Sequence, residues 1–370
     1  MFLFEGITIR NFKSLNSVSI GKKWGTRGQP LPELVCIIGQ PNTGKSNFFD
    51  VFSFIRDMNL YGIKTACDKR GGFDNIRTTD KFSPIEFEFV LSDVCGTEYR
   101  YLLSLNKDEH GDVTRKDNVT AKIPKKSGDV NFPTQVVSYF NELFIPSFTD
   151  KGLRQQYSSS PSIVMEDNGS NFVSVLDRKS GFDKENRYFK QHILGPLHIK
   201  DYRTYIKSEH DDDGEFTYKQ VLIVHEDNST IKKYEDNRKQ ISANILKYMA
   251  YVVLCGTLYD YHVVCIQDLE NGLYFTLQEE LTELLRCAAS EHRKTVFLIT
   301  HSPHVLNMLD DKNVFIFHTN VNGHTEVKQA CNLPLVHNMV KEGCQLGYLW
   351  TTDYLTPEKD GTFPGNPPEA

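Results

Sequence analysis

The sequence predicts an α/β fold with an N-terminal antiparallel β-lobe and a short polar insertion, and three groups of residues carry that reading. The first is GQPNTGKS, Gly39 to Ser46, which matches the phosphate-binding pattern G-x-x-x-x-G-K-[ST]. It lies between an apolar run, Leu34-Val35-Cys36-Ile37-Ile38, and a segment from Asn47 to Ile55 with an apolar helical face, so the pattern falls on strand, loop and helix. The second is a pair of alternating segments, Ile85 to Val90 and Tyr99 to Leu105, separated by Val94-Cys95-Gly96-Thr97, which reads as a half-buried antiparallel hairpin. The third is a pair of later buried strands, Val263 to Ile266 and Thr295 to Ile299, each running into polar residues.

The spacing of the loop sets its chemistry. Two glycines let the chain curl until successive backbone N–H groups face phosphate oxygens, and the helix opening at Gly44 adds the positive end of its dipole. Lys45 then reaches the β- and γ-phosphates, and the Ser46 hydroxyl ligates Mg²⁺. The candidate contacts to ATP are Gly39, Asn42, Thr43, Gly44, Lys45, Ser46 and Asn47, with Ser46 the metal ligand.

Composition excludes several classes. With 39% hydrophobic and 24% charged residues over 370 positions, the chain can bury a sizeable core and has no signature of disorder. It lacks an apolar run of the roughly 18 to 20 residues a membrane span needs, and a signal peptide's start. Eight cysteines without a C-x-x-C pair read as reduced, mostly buried thiols, which points to the cytoplasm. A net charge of −6 offers no global attraction to nucleic acid; the basic clusters Lys122 to Lys126 and Lys232-Lys233 read as solvated surface, with local DNA contact as the alternative.

In chain order, Phe4 to Leu15 alternates as a strand that turns into a second around Val18-Ser19-Ile20. "ITIRNFKSLNSVSI", followed by "VCIIGQPNTGKSNFFDVFSFI", resembles the start of the ABC-type ATPase heads shared by structural-maintenance-of-chromosomes proteins, recombination ATPases and the overcoming-lysogenization-defect class. Within that group the chain is most similar to compact ATPases of bacterial anti-phage systems. The resemblance implies a β-lobe beside the phosphate loop, where the alternating segments lie. It also implies a Mg²⁺-sensing glutamine at the lobe's start, but Gly72 to Ile76 holds none; Asn75 is nearest and reads as a turn. From 147 to 235 the composition turns polar where larger relatives insert a coiled coil, yet no apolar heptad is sustained. A helix around Lys184 to Leu194 and a hairpin across Tyr202 to Val224, turning at Asp213-Gly214, are expected instead.

The C-terminal lobe, 236–356, opens with a helix from Ile241 to about Tyr259. By resemblance its start is the signature segment, in which Ser242 caps the γ-phosphate held by the other subunit of a dimer, and Asn244 replaces a glycine; an ordinary helix cap is the alternative for Ser242. "IQDLENGLY" resembles the second phosphate-site strand, with Gln267 where an aspartate holds the Mg²⁺ water shell and Asp268 where a glutamate polarises water. Gln267 brings no charge, and Asp268 is one methylene short, about 1.5 Å of reach. "THSP" places His301 as the switch histidine bonding γ-phosphate. Strands at Asn313 to Phe317 and Thr325 to Val327, the segment Gly347 to Leu355, and a disordered tail after Pro357 complete the chain.

The expectation is an ATP- and Mg²⁺-binding homodimer, weak in hydrolysis, serving as sensor or scaffold of an antiviral defence complex. Only about 30 residues follow Val340, far below the roughly 100 of a domain, so any nuclease or toxin effector is expected as a separate protein. The competing expectations are a repair or chromosome-type clamp that hydrolyses ATP on DNA and, last, a transport ATPase.

Overall fold

The computed structural model describes residues 2–78, 83–122, 133–154, 164–210, 216–226, 241–358 and 361–364. The basic residues from 123 to 126, Lys232-Lys233 and the turn at Asp213-Gly214 lie outside them. The elements are β1 (Phe2–Phe12), β2 (Leu15–Gly21), β3 (Leu34–Ile38), α1 (Lys45–Tyr61), α2 (Ile63–Asp68), α3 (Phe73–Ile76), β4 (Ile85–Asp93), β5 (Glu98–Lys107), β6 (Val113–Lys122), α4 (Pro133–Ser138) and β7 (Leu143–Phe144). There follow α5 (Asp150–Leu153), α6 (Phe172–Ser180), α7 (Asp183–Leu194), β8 (Ile199–His210), β9 (Phe216–Glu226), α8 (Ala243–Gly256), β10 (Val263–Gln267), α9 (Phe275–His292) and β11 (Thr295–Ile299). The last are α10 (Pro303–Asn307), β12 (Val314–Thr319), β13 (Thr325–Gln329), α11 (Pro334–Lys341) and α12 (Leu346–Thr351).

These elements form two units, Met1–Leu143 with His262–Asp268 and Arg293–Ala370, and Phe144–Tyr261 with Leu269–His292. The first contains an antiparallel sheet in the order β2-β1-β4-β5-β6 and a mainly parallel sheet in which β12, β3, β11 and β10 are neighbours. Strand β13 pairs antiparallel with β12 at one edge. The parallel strands read as continuous apolar runs because both faces are covered: all five residues of β3 and of β11 are buried.

Helix α1 has a wide buried apolar face, Phe48, Phe49, Val51, Phe52, Phe54, Ile55 and Met58, because it packs on both sheets. Phe52 and Phe48 meet Phe297 of β11 at 5.1 and 5.5 Å between ring centroids, whereas Phe54 meets Phe12 of β1 at 5.7 Å and Phe87 of β4 at 6.2 Å. Burying such rings on both sides anchors the helix whose N-terminus follows the phosphate loop.

In the second unit, α6 and α7 pack on α8, whose residues from Tyr248 to Cys255 are all buried, and the antiparallel pair β8–β9 packs on α6 and α7. Helix α7 and the hairpin lie where the sequence expects them. Among the described residues the longest helix, α9, has 18 residues, so nothing there forms a long arm.

Three expectations are corrected. Of the eight cysteines, all free, four are buried; Cys95 and Cys287 are exposed because they lie in a turn and on an outer helix face. The helix beginning at Ala243 stops at Gly256, and a 3-10 turn, Leu258–Asp260, takes the chain to Tyr261. The tail beyond Pro357 is ordered in part: Gly361 N–H donates to Glu358 O, and Phe363 is only 5% exposed, with its ring edge-on to His318.

Candidate functional site

Strand pairing places the C-terminal ends of β10, β11 and β3 in one row, which crosses β12 at its second residue. Gln267 of β10 pairs with Ile299 of β11, Ile299 with Ile37 of β3, and Ile37 with Phe315 of β12. One or two residues past that row lie Asp268, Thr300-His301 and the loop from Gly39 to Gly44. Open α/β sheets bind ligands beyond the carboxyl ends of their strands, because helix N-termini and loop N–H groups converge there.

The loop needs its glycines. Gly39 has φ 150°, and a Cβ there would lie 2.1 Å from the Phe317 carbonyl oxygen; Gly44 has φ 94°, and a Cβ would lie 2.2 Å from Thr325 Oγ1. Gly44 is the N-cap of α1 and supplies no side-chain cap, so the first N–H groups of a 17-residue helix face the loop. Asn42 takes the left-handed conformation at φ 64° and is exposed, and the Thr43 hydroxyl donates to Gln40 O at 2.8 Å.

Lys45 is 7% exposed, with Nζ donating to Gly39 O at 2.7 Å and Gln40 O at 2.6 Å. Burial lowers its pKa and the charge of Asp268 opposes that shift, so Lys45 and Asp268 belong to one electrostatic site. Ser46 is exposed on the first turn of α1. This arrangement fits a nucleotide's phosphates: a cradle with no room for a Cβ, an uncapped helix start, a buried lysine whose partners are the loop's own carbonyls, and an accessible hydroxyl. Among the described residues no group of three or more His, Cys, Asp or Glu could hold a metal.

Gln267 is exposed at the end of β10, and Asp268 has φ 51° with its N–H donating to Ile299 O at 3.0 Å. His301 is exposed just past β11, its ring centroid 6.5 Å from that of Trp350. Thr300 Oγ1 accepts from Ser302 N–H at 3.0 Å, and Ser302 caps α10, which fixes the backbone on both sides of His301. Gly347 lets α12 approach, since a Cβ there would lie 2.2 Å from Pro303 O, and this close packing sets Trp350 near the histidine.

Ser242 and Asn244 lie in the second unit. Ser242 is the N-cap of α8, its hydroxyl accepting from Asn244 N–H at 3.3 Å, and both residues are exposed. The Asn244 amide oxygen would be 2.9 Å from a Cβ on Gly272 (φ 75°), and Lys247 Nζ donates to Asn271 O at 2.6 Å, so the helix start is tied to the Asn271-Gly272 turn. Asn75, the nearest candidate for the sensing glutamine and expected in a turn, lies in the one-turn helix α3, where its side-chain N–H donates to Gly71 O at 2.6 Å.

Sequence reasoning missed Ser14 and Thr325 behind the loop, and Asn47, expected as a contact to ATP, turns its side chain to Ser14 instead. Asn47 Nδ2 donates to Ser14 Oγ at 2.8 Å, and Ser14 Oγ lies 3.0 Å from Thr325 Oγ1, a chain of three polar side chains at the back of Gly44. Lys13 (φ 52°) reaches Asp50 of α1 at 2.6 Å, and Arg70 also grips Asp50, at 2.7 Å. The only local signal was Lys13-Ser14 in a tight turn between two strands.

Solved structures with the same fold are SMC head domains. An SMC head bound to the C-winged helix domain of ScpA is 12% identical, with TM-score 0.52, covering 88% of this chain and 97% of that one. The SMC head domain from Thermotoga maritima is 12% identical, TM-score 0.50, covering 88% and 98%. The Smc head with an extended coiled coil from Pyrococcus furiosus, bound to the C-terminal domain of ScpA, is 9% identical, TM-score 0.57, covering 92% and 99%. The chain therefore has the P-loop NTPase fold of ABC-type and SMC-head ATPases. No curated protein matches it. Residues 34–221, just over half of the chain and including the phosphate loop, match one family, and the protein belongs to it: the AAA domain family described as putative AbiEii toxin, Type IV TA system.

Proposed function

We propose that the protein binds ATP and Mg²⁺ as a homodimer and serves as the nucleotide-dependent sensor or scaffold of a bacterial antiviral defence complex, hydrolysing ATP slowly or not at all. The observation that carries this reading is the contrast between a complete phosphate cradle and an altered strand end at Gln267-Asp268. The family's toxin–antitoxin description supports the defence setting, and a separately encoded effector is part of the proposal.

Backbone N–H groups of the loop and the start of α1 would bind phosphate oxygens, and Lys45 would exchange its two carbonyl partners for them. Mg²⁺, held by Ser46, would supply charge neutralisation at the β- and γ-phosphates. Asp268 would orient the attacking water, with less reach than a glutamate, and His301 would donate to the γ-phosphate. Ser242 and the N-terminus of α8 would act on the nucleotide of the second protomer, which is why a dimer is required.

The test is binding and turnover of ATP by the full chain, together with sedimentation in a non-hydrolysable analogue. Tight binding, nucleotide-dependent dimers and turnover well below about 1 s⁻¹, the low end of usual enzyme rates, are expected. Brisk turnover stimulated by DNA in a salt-dependent way would replace the sensor by the clamp reading.

A further inference from the structure

A second cavity lies wholly within the second unit, among α7, the end of α8 and α9. Its volume is about 330 Å³, within the range of roughly 300 to 1,000 Å³ of small-molecule sites. Cys255, Leu284 and Ala288 give it a buried apolar floor. Gly256 lets α7 close over that floor, because a Cβ would lie 2.5 Å from the Phe189 ring and 3.1 Å from that of Tyr188.

Four rings line the walls in two pairs: Tyr188 with His192 at 4.7 Å between centroids, and Tyr259 with His292 at 5.6 Å. Four carboxylates, Glu185, Glu280, Glu283 and Glu291, stand against one lysine, Lys184. Arg286 engages Glu283 and His192 lies 3.6 Å from Glu280, but Glu185 and Glu291 have no ion-pair partner among the described residues.

Tyr248 of α8 is not among the lining residues. It is 0% exposed, and its hydroxyl has no hydrogen-bond partner among the described residues. Buried hydroxyls are nearly always paired, since leaving one unpaired forfeits its hydration without return. The charged and thiol groups that act on this phenol are Glu280 and Cys255, both on the cavity wall.

From this geometry we propose that the cavity binds a small organic cation, an ammonium group on an apolar body. The rings offer negative faces to the positive charge and cover the apolar part, and the carboxylates at Glu280 and Glu291 receive the N–H groups. Tyr248, fully buried and outside the lining, makes no contact with the cation. A small anion is excluded by the same carboxylates.

Phenethylammonium is the probe, and phenylacetate, of similar shape and opposite charge, is the control. Saturable binding of the amine to the full chain, read by ligand-observed NMR and calorimetry, is expected below about 1 mM, with none of the anion. The pair Glu280→Gln and Glu291→Gln should weaken it by about tenfold or more, as losing a charge-assisted hydrogen bond does. Tyr248→Phe, outside the lining, should leave binding unchanged. Cys287→Trp, at an exposed position on the mouth, blocks the cavity without disturbing the core and guards against misfolding of the other variants. Lys45→Ala should leave amine binding unchanged, which separates this site from the phosphate loop. Failure of the amine to saturate, or equal affinity in wild type, the carboxylate pair and Cys287→Trp, overturns the proposal.

Discussion

The phosphate loop and the end of β10 sit on the same sheet edge, yet they are built differently. The loop is held by backbone: Gly39 against the Phe317 carbonyl, Gly44 against Thr325, and the lysine on the loop's own carbonyls. At β10 the proposed chemistry rests on two side chains, an exposed Gln267 and an Asp268 in the left-handed region at φ 51°. Binding that depends on main-chain geometry survives substitutions that alter a neighbouring strand end. Hydrolysis, which depends on one carboxylate's reach to about 1 Å, does not.

The largest expected effect comes from rebuilding the weaker side. The pair Gln267→Asp with Asp268→Glu should raise turnover on the order of 10²- to 10⁴-fold, the usual contribution of a well-placed general base, with ATP affinity little changed. Steady-state phosphate release measures it; no gain in a folded double variant, with a wild type already fast, would show that β10 is not the hydrolytic strand.

Next in size is Lys45→Ala, which removes a buried cation from the cradle. Affinity for ATP should fall by roughly 10- to 100-fold, since hydrogen bonds to charged groups contribute about 1.5 to 3 kcal/mol. Calorimetric titration decides it, and unchanged affinity would dissolve the contrast from the other end. Ser14→Ala breaks the side-chain relay behind Gly44 and should cost about 1 kcal/mol, close to a fivefold loss of affinity, with no effect on the rate of bound nucleotide. A loss of rate instead would mean that the relay serves catalysis.

The smallest effect is on stability against pH. His318, 3% exposed at the end of β12 behind the loop, and His262, just before β10, both have pKa values held below the ordinary 6.5, chiefly by burial, with Glu326 and Glu142 respectively opposing the shift. The unfolded chain then binds more protons than the native one, so stability is full above about pH 6.5 and falls as acid protonates the unfolded histidines. Melting curves from pH 8 to 5 should show a drop of about 2 to 4 °C per kcal/mol lost. His318→Gln and His262→Gln should each remove part of it, which reveals the strand that yields first. A flat profile in wild type contradicts the assignment.

Much of the site was legible because its chemistry uses consecutive residues. Glycine spacing, a lysine and a hydroxyl in one octapeptide, and an apolar run on either side are all local. The residues that back the loop were not legible: Ser14 and Thr325 are 311 positions apart and meet only when β1–β2 and β13 converge on Gly44. Phe363 was hidden for a similar reason, since a lone aromatic among Gly and Pro has no periodicity, and its burial depends on His318.

By itself the sequence determined the strand-loop-helix with the phosphate-loop pattern, the antiparallel lobe, the helix α7 and hairpin of the insertion, and which carboxylate stands at the end of β10. These follow from backbone preferences and side-chain periods that act within a dozen residues. Only the tertiary structure decided that Gln267, Ile299, Ile37 and Phe315 share one row, and that Tyr248 lies unpaired near a carboxylate-lined cavity. Register between strands from distant parts of a chain, and the company a buried hydroxyl keeps, are set by packing, which no local pattern encodes.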